Sequence, residues 1–241
     1  MVSACDVLAV GAHPDDVDLG CGATAARLAA RGLRVGILDL TAGELGTRGD
    51  AELRRREAEA AGSALAAAWR SCLGLPDGGL RAEAEAQLTA IVGALRGAAA
   101  RAVLLQHPDD PHPDHGAAAA LVVRAAFLSG LARWRADLGA PSRPRLLLAF
   151  PGPRQLFHPA LVVDVSGEYA RKRAALAAHA SQFEPAPGPP THLASGHFLA
   201  AIEGRDRACG NLIGTEFGEG FAALGPVSAE EIAWLVGGGS G

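Results

Sequence analysis

Lysine is almost absent. Lys172 is the only one in 241 residues, so nearly all of the positive charge is arginine. With the heavy use of alanine, this reads as a GC-rich coding bias rather than as a basic surface. The net charge of −4 gives no attraction to nucleic acid or to an anionic membrane, and neither is expected as a partner. Long apolar runs are also missing: none reaches the ~18 residues that span a bilayer. The opening stretch MVSACDVLAVGA has no basic segment ahead of its apolar run, so no signal peptide is expected. Cysteine pairs are lacking too. Cys5, Cys21, Cys72 and Cys209 are scattered without CxxC spacing, which argues against a disulfide frame or a thiolate zinc site and suits a reducing, cytoplasmic setting.

What remains is an ordinary globular composition, 49% hydrophobic and 20% charged. The length fits a single domain over residues 1–241 with its own core, the last residues from 236 onward forming a frayed tail. Asp6 to Ala12 and Leu33 to Leu40 are short Val/Leu-rich runs that predict buried strands. Between them Leu19 to Arg31 has helical spacing and stops at Gly32, a suitable C-cap. This is a βαβ unit with parallel strands. Helices are expected over 52–69, 82–98, 116–132 and 168–179, and strands over 70–75, 102–105, 146–150 and 160–165. Pro185 to Pro190 predicts a loop over a site. The alternation gives an α/β fold: a Rossmann-like open, mostly parallel sheet with helices on both faces. Ligands of such sheets bind at the carboxyl ends of the strands.

Two unusual segments fall at such ends. GAHPDD follows the first strand and QHPDDPHPDH follows the fourth. If a helix starts near Pro14, His13 and Asp16 converge at its first turn, where proline is tolerated. Imidazole nitrogen and carboxylate oxygen are both common zinc ligands. Asp15 would sit beside such a metal, placed to take a proton from water. His112 and His115 repeat the three-residue spacing ahead of another helix. One of them completes three protein ligands; the other is left to donate to an oxyanion or to a leaving group.

The bland alternatives are concrete. An isolated HPDD is most often a helix start with Asp as the cap, and the coincidence of two clusters is what favours a metal. Pro111 prevents a helix from beginning directly after Asp110, so His107 to Asp110 reads as a loop without chemistry. His158, His192 and His197 lack partners at ligand spacing. Arg54 to Arg56 reads as a solvated helix face, with Arg54 distinguished only by the Gly-rich loop ahead of it. GCG at 20–22 lacks the third glycine of a dinucleotide fingerprint.

AHPDD after a first strand, with HPDH downstream, resembles the LmbE-like or PIG-L deacetylases, zinc hydrolases that remove acetyl from N-acetylglucosamine derivatives. LTAGELGTRGDAELRRREAEAAG, LPDGGL, DVSGEYARKRAALAAHASQF and EGRDRACGNLIGTEFGEGF look like segments of the branch that deacetylates N-acetylglucosaminyl malate in bacillithiol biosynthesis. The resemblance implies zinc on His13, Asp16 and His115, Asp15 as general base and His112 as oxyanion stabiliser. It implies that Arg54 meets the polar aglycone and Asp77 the sugar. It gives no role to His107–Asp110. The segment GPPTHLASGHFLAAIEG departs from the branch pattern, and GRDRACG lacks an aromatic expected near Cys209. A small amino-sugar substrate and a homo-oligomer such as a hexamer are further expectations. Two His and one carboxylate also accept Fe2+, Co2+ or Mn2+. Rival readings are a chitooligosaccharide deacetylase, an amidase on a glycosylated thiol conjugate, and a metal- or nucleotide-binding protein without catalysis.

Overall fold

The computed structural model describes residues 2–155, 157–185 and 189–237. Among the described residues, seven strands form one sheet in the order β3-β2-β1-β4-β5-β7-β6. They are β1 (Val7–Gly11), β2 (Val35–Thr41), β3 (Trp69–Leu75), β4 (Ala102–Gln106), β5 (Leu146–Phe150), β6 (Leu161–Asp164) and β7 (Gly218–Ala223). β1 to β5 pair in parallel, whereas β7 runs antiparallel to both β5 and β6. This is the open, mostly parallel sheet that the alternating pattern predicts.

The strand residues sort by parity, as the two-residue period of a strand requires. Val7, Ala9 and Leu104 enter the core beneath α1 (Asp16–Ala30), α2 (Ala51–Ala64) and α5 (Tyr169–Ala178). Leu8, Val10, Val103 and Leu105 enter the opposite core beneath α3 (Glu85–Ala98) and α4 (Pro113–Ser129). Both faces are therefore covered, which is why these strands read as continuous apolar runs rather than alternating ones.

The expected helix over 52–69 ends earlier, at Ala64. Ala66 takes a left-handed φ of 58°, and the turn lets β3 begin at Trp69 beside Gly36 of β2, which has no side chain to collide with that indole. Helix α1 begins at Asp16, with Asp15 at its N-cap just after Pro14, and its interior is broken at Cys21 (φ −147°). Strand β7, α6 (Ala180–Phe183), α7 (Phe198–Asn211) and α8 (Ala229–Gly237) are further elements that the sequence pattern does not single out. β7, sequence GEGFAA, has two glycines where a strand normally shows branched residues. Of the predicted loop at 185–190, residues 186–188 lie outside the described residues, as do 238–241 of the predicted frayed tail.

The sheet order changes direction between β1 and β4: from β1 the chain builds outward to β2 and β3, then returns to lay β4 on the other side. That is the topological switch point, where the crevice outside the strand ends can take a ligand. Val7, Leu8 and Ala9 pair with Ala102, Val103 and Leu104, so the two His/Asp segments leave neighbouring strands side by side.

Candidate active site

Backbone hydrogen bonds and buried ion pairs hold the two loops in place. Gln106, the last residue of β4, accepts from the Ala12 N–H at 2.9 Å. The Thr41 backbone N–H and hydroxyl both donate to the Ala12 carbonyl at 2.9 Å. Arg70 of β3 donates to the Pro14 carbonyl and pairs with Asp18 and Asp39, all buried. His179 closes this cluster with Nε2 at 3.0 Å from Asp18. The HPDD turn is thus fixed from β2, β3 and β4 at once.

On this frame His13, Asp16 and His115 bring one ligand atom each to within 4.8 Å of one another. Asp16 lies between the imidazoles, with Oδ2 at 3.2 Å from His13 Nδ1 and Oδ1 at 3.2 Å from His115 Nε2. Asp16 also accepts from the His13 N–H at 2.7 Å, which folds the turn back on itself. The far nitrogen of each ring meets another carboxylate. His13 Nε2 lies 3.1 Å from Asp77 Oδ1 and 3.4 Å from Asp114 Oδ2, and His115 Nδ1 lies 3.1 Å from Asp110 Oδ2.

Burial disfavours a charged imidazole. For His13, however, hydrogen bonds to Asp114, Asp16 and Asp77 outweigh burial and raise its pKa to about 12. Burial of His115 is outweighed in the same way by Asp16 and Asp110, giving a pKa of about 10. Burial of Asp16 is overcome by His115 and His13, which hold its carboxyl well below the ordinary range. The hydrogen bond from His13 holds Asp77 at about 2. A converging, buried carboxylate between two imidazoles that would each hold a proton is a site suited to a divalent cation, whose binding displaces those protons. The donor set fits the expected metal.

Asp15 is buried at 6% exposure and makes no capping hydrogen bond, although it stands at the N-cap of α1. The capping explanation for this residue therefore fails. Its Oδ2 instead faces Arg54 Nη2 at 3.5 Å. Arg54 is buried too, with Nη1 donating to the Gly43 carbonyl at 2.7 Å and Nε unpartnered among the described residues. A side chain at Gly43 would occupy the guanidinium's place. Arg55 behaves as the solvated face expected of the Arg run, pairing with Glu52 and Glu59.

His112 stands at the N-cap of α4 with Pro113 at the first helical position. Its Nδ1 accepts from the Asp114 N–H at 3.2 Å, which leaves Nε2 as the protonated nitrogen of the neutral ring. Burial, then the neighbouring His115 and His13, push its pKa down, so the ring stays neutral and donates through Nε2. The ring stacks on His115 at a centroid distance of 4.5 Å and lies 5.0 Å from His13. Asp77 accepts from His13 and, through Oδ2, from the Leu45 N–H at 2.8 Å. Asp114 accepts from the Gly78 and Leu80 N–H groups and ties the LPDGGL turn to α4. All seven residues singled out from the sequence line one cleft of about 620 Å3, joined by Arg48, Arg154, Leu193 and Phe198 among others.

His107 is occupied structurally: its Nδ1 contacts Gln155 Nε2 at 2.8 Å and the Asp109 N–H at 3.1 Å, while the Asp109 side chain is exposed. His158, His192 and His197 are exposed. Asp110, like Asp114 beside His13, is a residue that sequence reasoning missed. The signal was Asp-Pro-His: an Asp two residues ahead commonly accepts the backbone N–H of the second residue on, and here Asp110 Oδ1 accepts from His112 N–H at 2.8 Å.

Comparison with known proteins agrees with this site. The family described as GlcNAc-PI de-N-acetylase (PIG-L) matches residues 8–126. A conserved protein of Thermus thermophilus has a structure superposing with TM-score 0.83 and 38% identity, covering 93% of this chain and 96% of that one. A 1D-myo-inositol 2-acetamido-2-deoxy-alpha-D-glucopyranoside deacetylase of Streptomyces avermitilis is 32% identical over 74% of this chain and 83% of that protein. A diacetylchitobiose deacetylase of Thermococcus kodakarensis is 33% identical over 73% of this chain and 70% of that protein. A shorter match, 54% identical over 43 residues, is to the uncharacterized deacetylase YaiS of Escherichia coli, of which it spans 23%. The His/Asp/His group, its neighbouring carboxylate and imidazole, and these relatives together establish that the chain belongs to the PIG-L family of metal-dependent deacetylases and is a hydrolase acting on an N-acetyl amide.

Proposed function

We propose that this enzyme removes the acetyl group from N-acetylglucosaminyl malate, giving glucosaminyl malate and acetate, with zinc on His13, Asp16 and His115. The observation that carries the substrate choice is cationic. Arg48, Arg54 and Arg154 all line the cleft that holds the ligand cluster. Arg48 and Arg54 already donate to the Glu184 and Gly43 carbonyls, whereas Arg154 is exposed at the cleft; a neutral disaccharide or inositol conjugate has no need of that guanidinium, and a carboxylate of a malate aglycone matches its planar fork.

A zinc ion on the three ligands supplies Lewis acidity to the acetyl carbonyl and lowers the pKa of an adjacent water. The chain's residues do the rest. Asp15, held opposite Arg54, takes the proton as the water oxygen attacks the carbonyl carbon. His112 donates its Nε2–H to the developing oxyanion. The C–N bond breaks as the proton held by Asp15 passes to nitrogen, releasing the amine and acetate. Asp77, at the rim beside His13, has lone pairs left on both oxygens to accept from a sugar hydroxyl. Truncating His112 to alanine lowers turnover by about 10²–10³-fold, the usual cost of losing one oxyanion donor. Zinc content measured by atomic absorption stays at the wild-type level.

Acetate release is the direct test, measured from N-acetylglucosaminyl malate, N-acetylglucosamine, diacetylchitobiose and the inositol conjugate in parallel. Faster zinc-dependent release from the malate conjugate is expected. Equal or faster release from diacetylchitobiose would hand the assignment to the chitooligosaccharide reading. No release from any of them, with zinc bound, would leave only metal binding. Arg154 is exposed and free of the catalytic groups, so Arg154→Ala raises KM for the malate conjugate about tenfold or more, the value of a charged hydrogen bond. It leaves N-acetylglucosamine unchanged. Arg54→Ala lowers turnover on both, because Arg54 also holds Asp15. Assembly as a homo-oligomer, a hexamer in particular, is a further part of this proposal, and sedimentation velocity tests it.

A further inference from the structure

The duplicated tetrapeptide at His107–Asp110 reads in sequence as a loop without chemistry, and three of its residues behave so. The fourth does not. We infer that Asp110 is the positioning residue of the metal site: its one carboxylate fixes the tautomer of the metal ligand His115 and the backbone of the oxyanion imidazole His112. The inference rests on the proposed assignment of His115 as a metal ligand.

The geometry is specific. The Asp110 side chain is 3% exposed although it lies in a surface loop. Oδ1 accepts from the His112 N–H at 2.8 Å. Oδ2 lies 3.1 Å from His115 Nδ1, nearer an ion-pair contact than an aligned hydrogen bond, and neither atom has another partner among the described residues. Both are sealed from solvent, so each needs the other. A proton on Nδ1, held toward Asp110, leaves Nε2 bare and facing Asp16, the arrangement a cation requires of a histidine ligand.

The fold also keeps a space for this carboxylate. Gly152, just past the end of β5, has no side chain, and a Cβ there would overlap Asp110 Oδ2. β5 is the strand next to β4, so the glycine is delivered to the spot by the sheet itself. Pro111 has a part as well: by keeping residues 107–111 out of the helix it allows Asp110 to fold back beneath α4 rather than extend it.

The discriminating substitution is Asp110→Asn. The amide oxygen can still accept from His112, so the start of α4 is preserved. The amide nitrogen then faces His115 Nδ1 and, as a donor, favours the tautomer that carries its proton on Nε2, which cannot bind a metal. Zinc affinity is measured by competition with a colorimetric chelator, on wild type, Asp110→Asn and Gly152→Ala, with circular dichroism and Tm on each. Wild type binds one equivalent tightly. Asp110→Asn is expected to bind 10–100-fold more weakly, the usual effect of removing a carboxylate behind a ligating histidine, with the metal-free protein still folded by circular dichroism and its Tm lowered by the loss of the His115 partner. Gly152→Ala is expected to show the same loss without altering any polar group of the site. A loss of less than about tenfold in folded Asp110→Asn overturns the inference while leaving the metal site standing. A wild type that binds no zinc overturns the metal-site reading itself, and the inference with it. Should Gly152→Ala not fold, the Asn variant decides alone.

Discussion

Asp15→Asn lowers turnover by about 10²–10⁴-fold, the range of a lost general base, while the protein keeps its zinc. The separation follows from where the two adjacent carboxylates point. Asp16 is aimed between His13 and His115 and has both oxygens within 3.2 Å of their ring nitrogens. Asp15, one residue earlier, is turned toward Arg54 and into the cleft. An amide at position 15 keeps the size and loses the basicity, so binding persists and proton transfer stops. His115→Ala is the contrasting control. It removes one of three ligands and takes zinc content and activity down together. The measurement is kcat for acetate release beside metal content for each variant. Undiminished kcat in Asp15→Asn would remove that residue from the base role, and lost zinc would make it a ligand.

The legibility of this site from sequence has a physical limit that runs between local and distant contacts. His13, Asp15 and Asp16 lie within one turn, and His112 and His115 within another, so spacing alone shows that they can converge. The strands were legible for a similar reason: β1, β2, β4 and β5 are buried on both faces and therefore continuously apolar. The partners that orient the site come from elsewhere in the chain. Asp77 reaches His13 across 64 positions and Arg70 reaches Pro14 across 56. Gly152 matters to Asp110 only because β5 lies beside β4. No periodicity marks such residues, since what selects them is the sheet order. The break in α1 was hidden in the same way. Its glycines, Gly20 and Gly22, suggest a poor nucleotide fingerprint in sequence, whereas Gly20 is small because Phe150 of β5 packs against it.

Replacing Lys172, the lone lysine that composition attributes to coding bias, with methionine destabilises the fold by about 3–5 kcal/mol. The side chain is fully buried on α5, with Nζ at 2.7 Å from Asp206 and 2.6 Å from Glu219. Those carboxylates are tied to α1. Where α1 breaks at Cys21, the Glu219 side chain accepts from the freed Ala23 and Thr24 N–H groups at 3.1 and 2.6 Å. Arg205, paired with Asp206, donates to the Leu19 carbonyl on the other side of the break at 2.6 Å. One ammonium therefore neutralises Glu219, which caps the second half of α1, and Asp206, which holds the guanidinium that caps the first half, the half that carries Asp16. Removing it strands two buried carboxylates with a single nearby guanidinium. A compact three-donor point charge fits between them where a planar guanidinium would not, so Lys172→Arg does not restore stability. Thermal unfolding should show Tm lowered by about 6–20 °C for a domain of this size. The double variant Lys172→Met/Glu219→Gln recovers only part of the loss: it leaves no charge at 219, but the amide oxygen accepts from one of the two N–H groups and the amide NH2 faces the other. Burial raises the pKa of Asp206, but Lys172 and Arg205 outweigh it and hold the group below the ordinary carboxylate range. Its contribution is thus complete above about pH 4, the unfolded value, and fades as acid carries the protein through the folded one. The Lys172→Met variant gives up part of that depression, so its stability at pH 7 drops and its acid limb becomes shallower than that of wild type. Equal Tm in wild type and Lys172→Met would show that burial, and not the charge, keeps the broken helix in place.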